Sequence, residues 1–248
     1  MRSGLRPVWV IAKKDIRIYY LKGPVLIFGV LFPVCLFLAF AIGRAVPPAN
    51  LVPGLIAITL FFTTSSVSPA IAPWETQART LERLLCAPLS LPAILGGDVL
   101  ASFLFGSVLS LVPVGLGTWV FHASVKHPAA LAVGFLLSAA CFAILGILLS
   151  SPPTDKPSEI MMLSNLVRLP LIFFSGVFLP LEQMPAWGQW VASVSPLTYC
   201  TELLRYGFGG TTRYGPEVSL PALVGFALLF WVMSVRLHRR SMSRRIWA

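Results

Sequence analysis

Side chains able to do chemistry are few in this chain of 248 residues, and their types and spacing exclude more than they assign. A primary pump grips phosphate with glycine amides and a lysine ammonium supplied by a Gly-Lys pair. None of Lys13, Lys14, Lys22, Lys126 and Lys156 follows a glycine, so ATP is not bound here through that motif. An ion-coupled carrier places a carboxylate or another coordinating oxygen at membrane depth. Asp98 is the only acid within an apolar run, at its edge, where capping or interfacial solvation accounts for it. Carbonyls and hydroxyls could still hold sodium, so an ion-coupled secondary transporter stays open as an alternative. An intramembrane enzyme needs a nucleophile beside a base, or a metal cluster. His122 and His127 lie in a short polar loop and His238 in the C-terminal tail, while Ser175 has no histidine at matching depth and no Gly-x-Ser-x-Gly elbow occurs. That alternative is disfavoured. Cys35, Cys86, Cys141 and Cys200 are scattered without metal-ligand spacing, and neither a disulfide nor a metal is inferred.

What remains are polar side chains set in apolar surroundings. One group is Thr59, Thr63, Thr64, Ser65, Ser66 and Ser68, beside Phe61 and Phe62; the other is Asn165, Arg168, Phe173, Phe174 and Ser175. A helical hydroxyl commonly bonds a carbonyl of its own helix, and aromatics pack, which accounts for most of these residues without a ligand. Arg168 lies about twelve residues before Pro180, or roughly 18 Å at helical rise, which is expected to place it in the inner half of the bilayer.

The elements that must position these groups are apolar runs at 24–46, 51–72, 95–121, 129–150, 160–179 and 218–235. Each approaches or exceeds the ~20 residues that cross a ~30 Å hydrocarbon layer as helix. With both ends on one side, fourteen of the 19 Lys and Arg residues fall there, in segments 1–23, 73–94, 151–159 and 236–248. That asymmetry predicts both termini in the cytoplasm. The composition, 56% hydrophobic and 11% charged with a net charge of +10, suits basic tails held by anionic lipid, with no need of nucleic acid. No cleavable signal is visible, because the first apolar run begins after a polar segment and is long enough to span. In that segment Leu5, Trp9, Ala12, Ile16 and Tyr19 recur at helical spacing, predicting an amphipathic interfacial helix on the cytoplasmic leaflet. Ser102, Gly106 and Ser110 give small-xxx-small spacing, which admits close approach of another helix. The fourth run is expected to face lipid or neighbouring helices. The fold class is all-α membrane protein in one domain.

Two polar segments carry further pattern. In 74–90, Ala78, Leu81, Leu84 and Leu85 form an apolar stripe while Glu75, Arg79, Glu82 and Arg83 face elsewhere, predicting a short amphipathic helix stopped near Pro88. Leucine anchors with charges of both signs suit a groove on a cytosolic partner. In 181–216, Leu181, Met184, Trp187, Val191 and Val194 recur at helical spacing with Trp190 beside them, predicting a re-entrant or interfacial hairpin with tryptophans at headgroup depth. Ser195-Pro196 predicts the next helix start, and Gly207, Gly209 and Gly210 its end near Arg205.

The run Thr80-Leu-Glu-Arg-Leu-Leu-Cys-Ala-Pro-Leu-Ser90, followed by Phe174-Ser-Gly-Val-Phe-Leu-Pro-Leu-Glu-Gln-Met-Pro-Ala-Trp187 and Ser195-Pro-Leu-Thr-Tyr199, resembles the permease subunits of ABC-2 type exporters. The group includes daunorubicin-type drug exporters and the nodulation-factor and polysaccharide permeases. The resemblance implies that residues 1–248 form one ABC-2 type transmembrane domain: six spans, an interfacial helix at 1–23, a coupling helix at 76–88 and an outer re-entrant segment at 181–206. It implies a half-transporter, paired with an identical or sister permease and with two ATPase subunits that bind ATP and magnesium, no cofactor being held by this chain. Thr80, Leu81, Glu82, Arg83, Leu84 and Leu85 would then contact the ATPase, and Glu182, Trp187 and Trp190 would belong to the outer segment. Thr63, Ser66, Asn165, Arg168, Phe173 and Phe174 would line the substrate path between spans two and five. On that reading Arg168 either snorkels toward the cytoplasm or meets an anionic or zwitterionic head. The cargo implied is amphipathic: a drug, a lipid or a glycolipid.

Overall fold

The computed structural model describes residues 5–23, 48–80, 86, 87, 89–119, 122–152, 154 and 156–246, with positions 25, 27, 29, 31, 34, 35 and 38. Among them every regular element is helical, as apolar runs require when no water is at hand to satisfy backbone N–H and C=O groups. The elements are α1 (Leu5–Asp15) with a π-helical turn Ile16–Tyr20, α2 (Pro48–Ser65), α3 (Ser68–Gln77), α4 (Leu91–Leu109), α5 (Leu111–Trp119), α6 (Pro128–Leu149), α7 (Pro157–Phe174), α8 (Ala186–Ser193), α9 (Pro196–Gly207) and α10 (Pro216–Ile246).

Among the described residues four stretches are long and apolar enough to cross a membrane: Leu51–Gln77, Leu91–Trp119, Pro128–Leu149 and Pro216–Ser241. They correspond to the second, third, fourth and sixth expected runs. Much of the first run lies outside the described residues, although Val25, Ile27, Gly29, Leu31, Val34, Cys35 and Leu38 are helical. The fifth, expected to reach residue 179, stops as helix at Phe174. The Ser175 hydroxyl folds back on the Ile172 carbonyl at 2.8 Å, and Gly176, at φ 76°, turns the chain away. That left-handed backbone suits glycine.

Two of the long stretches are bent, for one chemical reason. Between α2 and α3 the helix breaks at Ser66 and Val67. Pro69 has no N–H to offer the Ser65 carbonyl and its ring crowds that oxygen. In the preceding turn Thr63, Thr64 and Ser65 donate their hydroxyls to the carbonyls of Thr59, Leu60 and Phe61 at 2.8, 2.7 and 2.6 Å, back-bonding that bends helices. Pro113 acts in the same way on the α4–α5 junction at Ser110. Close approach of neighbours fixes these bends in place. A Cβ on Gly106 would stand 2.2 Å from Thr64 Cγ2, and one on Gly146 2.2 Å from Ser68 Oγ, so α4 and α6 both press on the bent helix. Ser110 Oγ completes the contact with Thr63 Oγ1 at 3.0 Å, and Ser102 Oγ meets the Tyr20 hydroxyl at 2.6 Å. The small-residue stripe of the third run is thus the seam that receives α2 and the N-terminal turn. Gly106→Leu is expected to cost about 1–3 kcal/mol by overpacking. Thermal unfolding in detergent should show this, with Gly115→Leu, where a Cβ meets nothing within 4 Å, left near wild type.

The Leu51–Gln77 stretch is mostly buried and forms the core, whereas Pro216–Ser241 is mostly unburied and forms the rim. Phe61 and Phe142 meet edge to face at 5.0 Å where α2 crosses α6. The fourth run, α6, packs against α2, α4, α9 and α10 and is a hub, with neighbours around it more than lipid. Helix α10 runs for 31 residues, about 46 Å at helical rise, so the expected basic tail continues the span as one helix. The N-terminal segment is helical as expected, but it lies against α4: Ala12 and Asp15 are fully buried and Tyr19 nearly so, while Trp9 is 56% exposed. Gly96 and Gly97 of α4 allow this, because a Cβ on Gly97 would clash with Ile11 at 2.5 Å.

Candidate functional site

The break between α2 and α3 opens a cavity of about 520 Å³ against α7. Its walls are mainly apolar, Phe62 and Val67 at the break among them, and Trp74 stands on the α3 side. Its polar groups are Ser66, Asn165 and Arg168. Asn165 and Arg168 share one face of α7 by their i, i+3 spacing, and Arg168 Nη1 donates to Asn165 Oδ1 at 3.4 Å. Asn165 is exposed while Arg168 is only 1% exposed.

Of the residues singled out in the second and fifth runs, the structure brings together Ser66, Asn165 and Arg168. Thr63 points into the helix bundle, hydrogen-bonded to the Thr59 carbonyl and to Ser110, and Thr59 bonds Leu55 O at 2.9 Å. Phe173 is 48% exposed and pairs with Phe178 at 5.9 Å, and Phe174 meets Trp187 of α8 edge-on at 6.1 Å, and neither lines the cavity. Ser66 escapes the back-bonding of its neighbours because it sits in the break itself.

At the α3 end the cavity borders a cluster the sequence did not announce. Trp74 stacks on Tyr19 at 5.6 Å, and the Lys22 ammonium lies 5.8 Å from the Trp74 ring. Beside them Lys14 is ion-paired with Asp15 at 3.0 Å and with Glu75, and Asp98 stands close by. Burial alone would lower the Lys14 pKa, but the two carboxylates overcome that and raise it, keeping the ammonium charged. The available signal was the scarcity of acids, 9 in all, which makes an Asp on a helix assigned to lipid worth a partner. The Thr80 N–H and hydroxyl both return to the Glu75 carbonyl, at 2.9 and 3.3 Å, and Arg79 adopts φ 53°. The expected coupling helix therefore does not begin at 76, since Thr76 and Gln77 end α3. Leu81, Glu82, Arg83, Leu84 and Leu85 lie outside the described residues.

In the other polar segment Leu181–Gln183 forms a 3-10 turn, and α8 and α9 make the hairpin. Glu182 is exposed, and Trp187 and Trp190 are 63% and 78% exposed, the wet-edge placement that amphipathic indoles favour. Helix α9 instead descends into the bundle against α6, α2 and α10. Its Glu202 and Arg205, each 2% exposed, pair at 3.3 Å. Arg205 Nη2 donates to the Gly176 carbonyl at 2.6 Å, and Glu202 Oε2 accepts the N–H groups of Arg213 and Tyr214 at 2.6 and 3.0 Å. Ser195 occupies the N-cap position with extended backbone but its side chain makes no cap bond, so Pro196 at the first turn sets this helix start. Among the described residues no group of three His, Cys, Asp or Glu side chains is placed to hold a metal ion.

Several helices long and apolar enough to cross a membrane, packed on one another, define a multi-pass membrane protein. The chain belongs to the ABC-2 type transporter family, whose family model matches residues 6–209. It is a transmembrane transport subunit of an ABC transporter. It is 27% identical over 205 residues to the inner membrane transport permease YadH of Escherichia coli K12, covering 79% of this chain and 76% of that protein. Nodulation protein J of Bradyrhizobium diazoefficiens is 27% identical over 203 residues, 79% of this chain and 75% of that one. The daunorubicin resistance ABC transporter permease protein DrrB1 of Streptomyces coeruleorubidus is 29% identical over 168 residues, covering 64% and 57%.

Proposed function

We propose that this chain is the permease half of an ATP-driven exporter of the inner or plasma membrane. It has six spans and both termini in the cytoplasm. Two such subunits, identical or sister permeases, work with two separate ATPase subunits that bind ATP and magnesium. The cargo is amphipathic, a drug, a lipid or a glycolipid, and leaves the cytoplasm along a path beside spans two and five. Residues 80–88 dock on the ATPase, and α8 with α9 closes the outer mouth. The observation that carries this reading is the cavity at the break in the second span, where Ser66 meets Asn165 and Arg168 of the fifth in a chain of this family. Bent helices with polar groups at the break are where membrane proteins line routes.

The test is nucleotide-dependent access. Ser66→Cys and Asn165→Cys, in a background with the exposed Cys35 and Cys86 replaced, are expected to react with thiol reagents at rates that change when the co-purified ATPase is trapped with ATP. Leu228→Cys on the rim helix, 61% exposed, is the control. Cavity positions that behave like Leu228 in every nucleotide state would remove the path from this place. The purified chain alone is expected to show no ATP turnover above contaminant controls.

A further inference from the structure

Resting on that path, we propose that the cavity at the break is a binding site for one anionic headgroup, a phosphate, sulfate or carboxylate, carried on an amphipathic molecule, with Arg168 as its counter-ion. Two arginines are buried to the same degree, and their surroundings differ. Arg205 is ion-paired with Glu202 and donates to a backbone carbonyl, as a structural arginine does. Arg168 has no ion pair among the described residues and reaches only the neutral Asn165 amide, through Nη1. Its Nε and Nη2 make no hydrogen bond among the described residues. Those two nitrogens form the side-on edge of the guanidinium fork, the edge whose parallel N–H groups match two oxygens of a carboxylate or phosphate. A guanidinium buried without an anion is costly, so its pairing edge indicates what the cavity accepts.

The rest of the cavity supplies the other half of the specificity. At about 520 Å³ it falls in the ~300–1,000 Å³ range of ligand pockets. Phe62, Val67 and the Trp74 indole provide apolar wall for the start of a hydrocarbon or aromatic body, while Ser66 and Asn165 add neutral donors. Lys22, over the Trp74 ring, puts a second positive charge beside the cavity at its α3 end. Among the described residues no carboxylate lines the cavity. A cationic amphiphile would meet repulsion there, and an inorganic anion would forgo the apolar wall.

The experiment is calorimetric titration of the full chain in phosphatidylcholine nanodiscs, without ATP or ATPase, using dodecyl phosphate, dodecyltrimethylammonium and inorganic phosphate. Dodecyl phosphate is expected to bind saturably and the other two much more weakly. Arg168→Gln should weaken dodecyl phosphate about tenfold or more, the scale of a charge-assisted hydrogen bond. Arg168→Lys keeps the charge but not the fork, and is expected to lose several-fold while still preferring anion to cation; it decides the matter if the glutamine variant fails to fold. Wild-type affinity in Arg168→Gln, or equal binding of anion and cation, overturns the proposal, and inorganic phosphate binding as tightly as dodecyl phosphate overturns its amphipathic part. Repeating the titration with phosphatidylglycerol in the disc separates sources: competition identifies a resident membrane lipid as occupant, and its absence a dissolved amphiphile. Both results uphold an anionic-head site. Failure here leaves the permease reading standing, whereas dodecyl phosphate binding without nucleotide-dependent labelling at Ser66 and Asn165 would retain the site and sink the path.

Discussion

Arg205→Met is expected to be the most destabilising single change in the α8–α9 hairpin, at about 3–5 kcal/mol, because it strands a buried carboxylate. Glu202, at 2% exposure, would keep the N–H groups of Arg213 and Tyr214 but lose the guanidinium it is ion-paired with. The Gly176 carbonyl would lose its donor as well, freeing the turn that ends α7 from α9. Glu202→Gln should be milder, since an amide oxygen still accepts from the two backbone donors and leaves no unpaired anion. Thermal unfolding and membrane yield of the two variants would measure this. An Arg205→Met protein as stable as wild type would mean that solvent reaches Glu202 and that the pair ties nothing together.

Leu84→Asp and Leu85→Asp are each expected to abolish co-purification with the ATPase, because a carboxylate pressed into an apolar groove without a partner costs several kcal/mol. Glu82→Lys should weaken assembly less and in a salt-dependent way, acting through charge complementarity at the rim of the contact. These residues follow the tight turn at Ala78–Arg79 that ends α3, the helix whose other end forms the cavity break. Motion imposed on the docking segment would thus enter a helix only ten residues long that leads to Ser66. Both aspartate variants assembling normally with the ATPase would move the contact elsewhere on the chain.

Much of this architecture can be read without coordinates. Hydrophobic runs of spanning length follow from the thickness of hydrocarbon alone, and four of the six expected runs recur as helices long and apolar enough to cross a membrane. Pro196 and the glycines after Arg205 bound α9 because proline and glycine act through their own backbone, within a turn. The family follows from motifs within the chain, since a run such as 80–90 keeps its order whatever it packs against. What the sequence could not decide is which way each polar side chain points. Thr63, Thr64, Ser65 and Ser66 are consecutive hydroxyls, yet three turn back on their own helix and the fourth faces the cavity, because Pro69 and the close contacts of Gly106 and Gly146 place the break at Ser66. Lys14 and Glu75 are sixty-one residues apart in the chain and pair only because α1 and α3 both pack on α4. Arg168 and Arg205 have the same side chain and nearly the same burial, yet Arg205 is held in a salt bridge while Arg168 lines the cavity with no ion pair among the described residues. Hydropathy and helical period are local sums along the chain, so sequence determines them; pairing of charges depends on which distant helix arrives within a few ångströms, and only the packed bundle decides that.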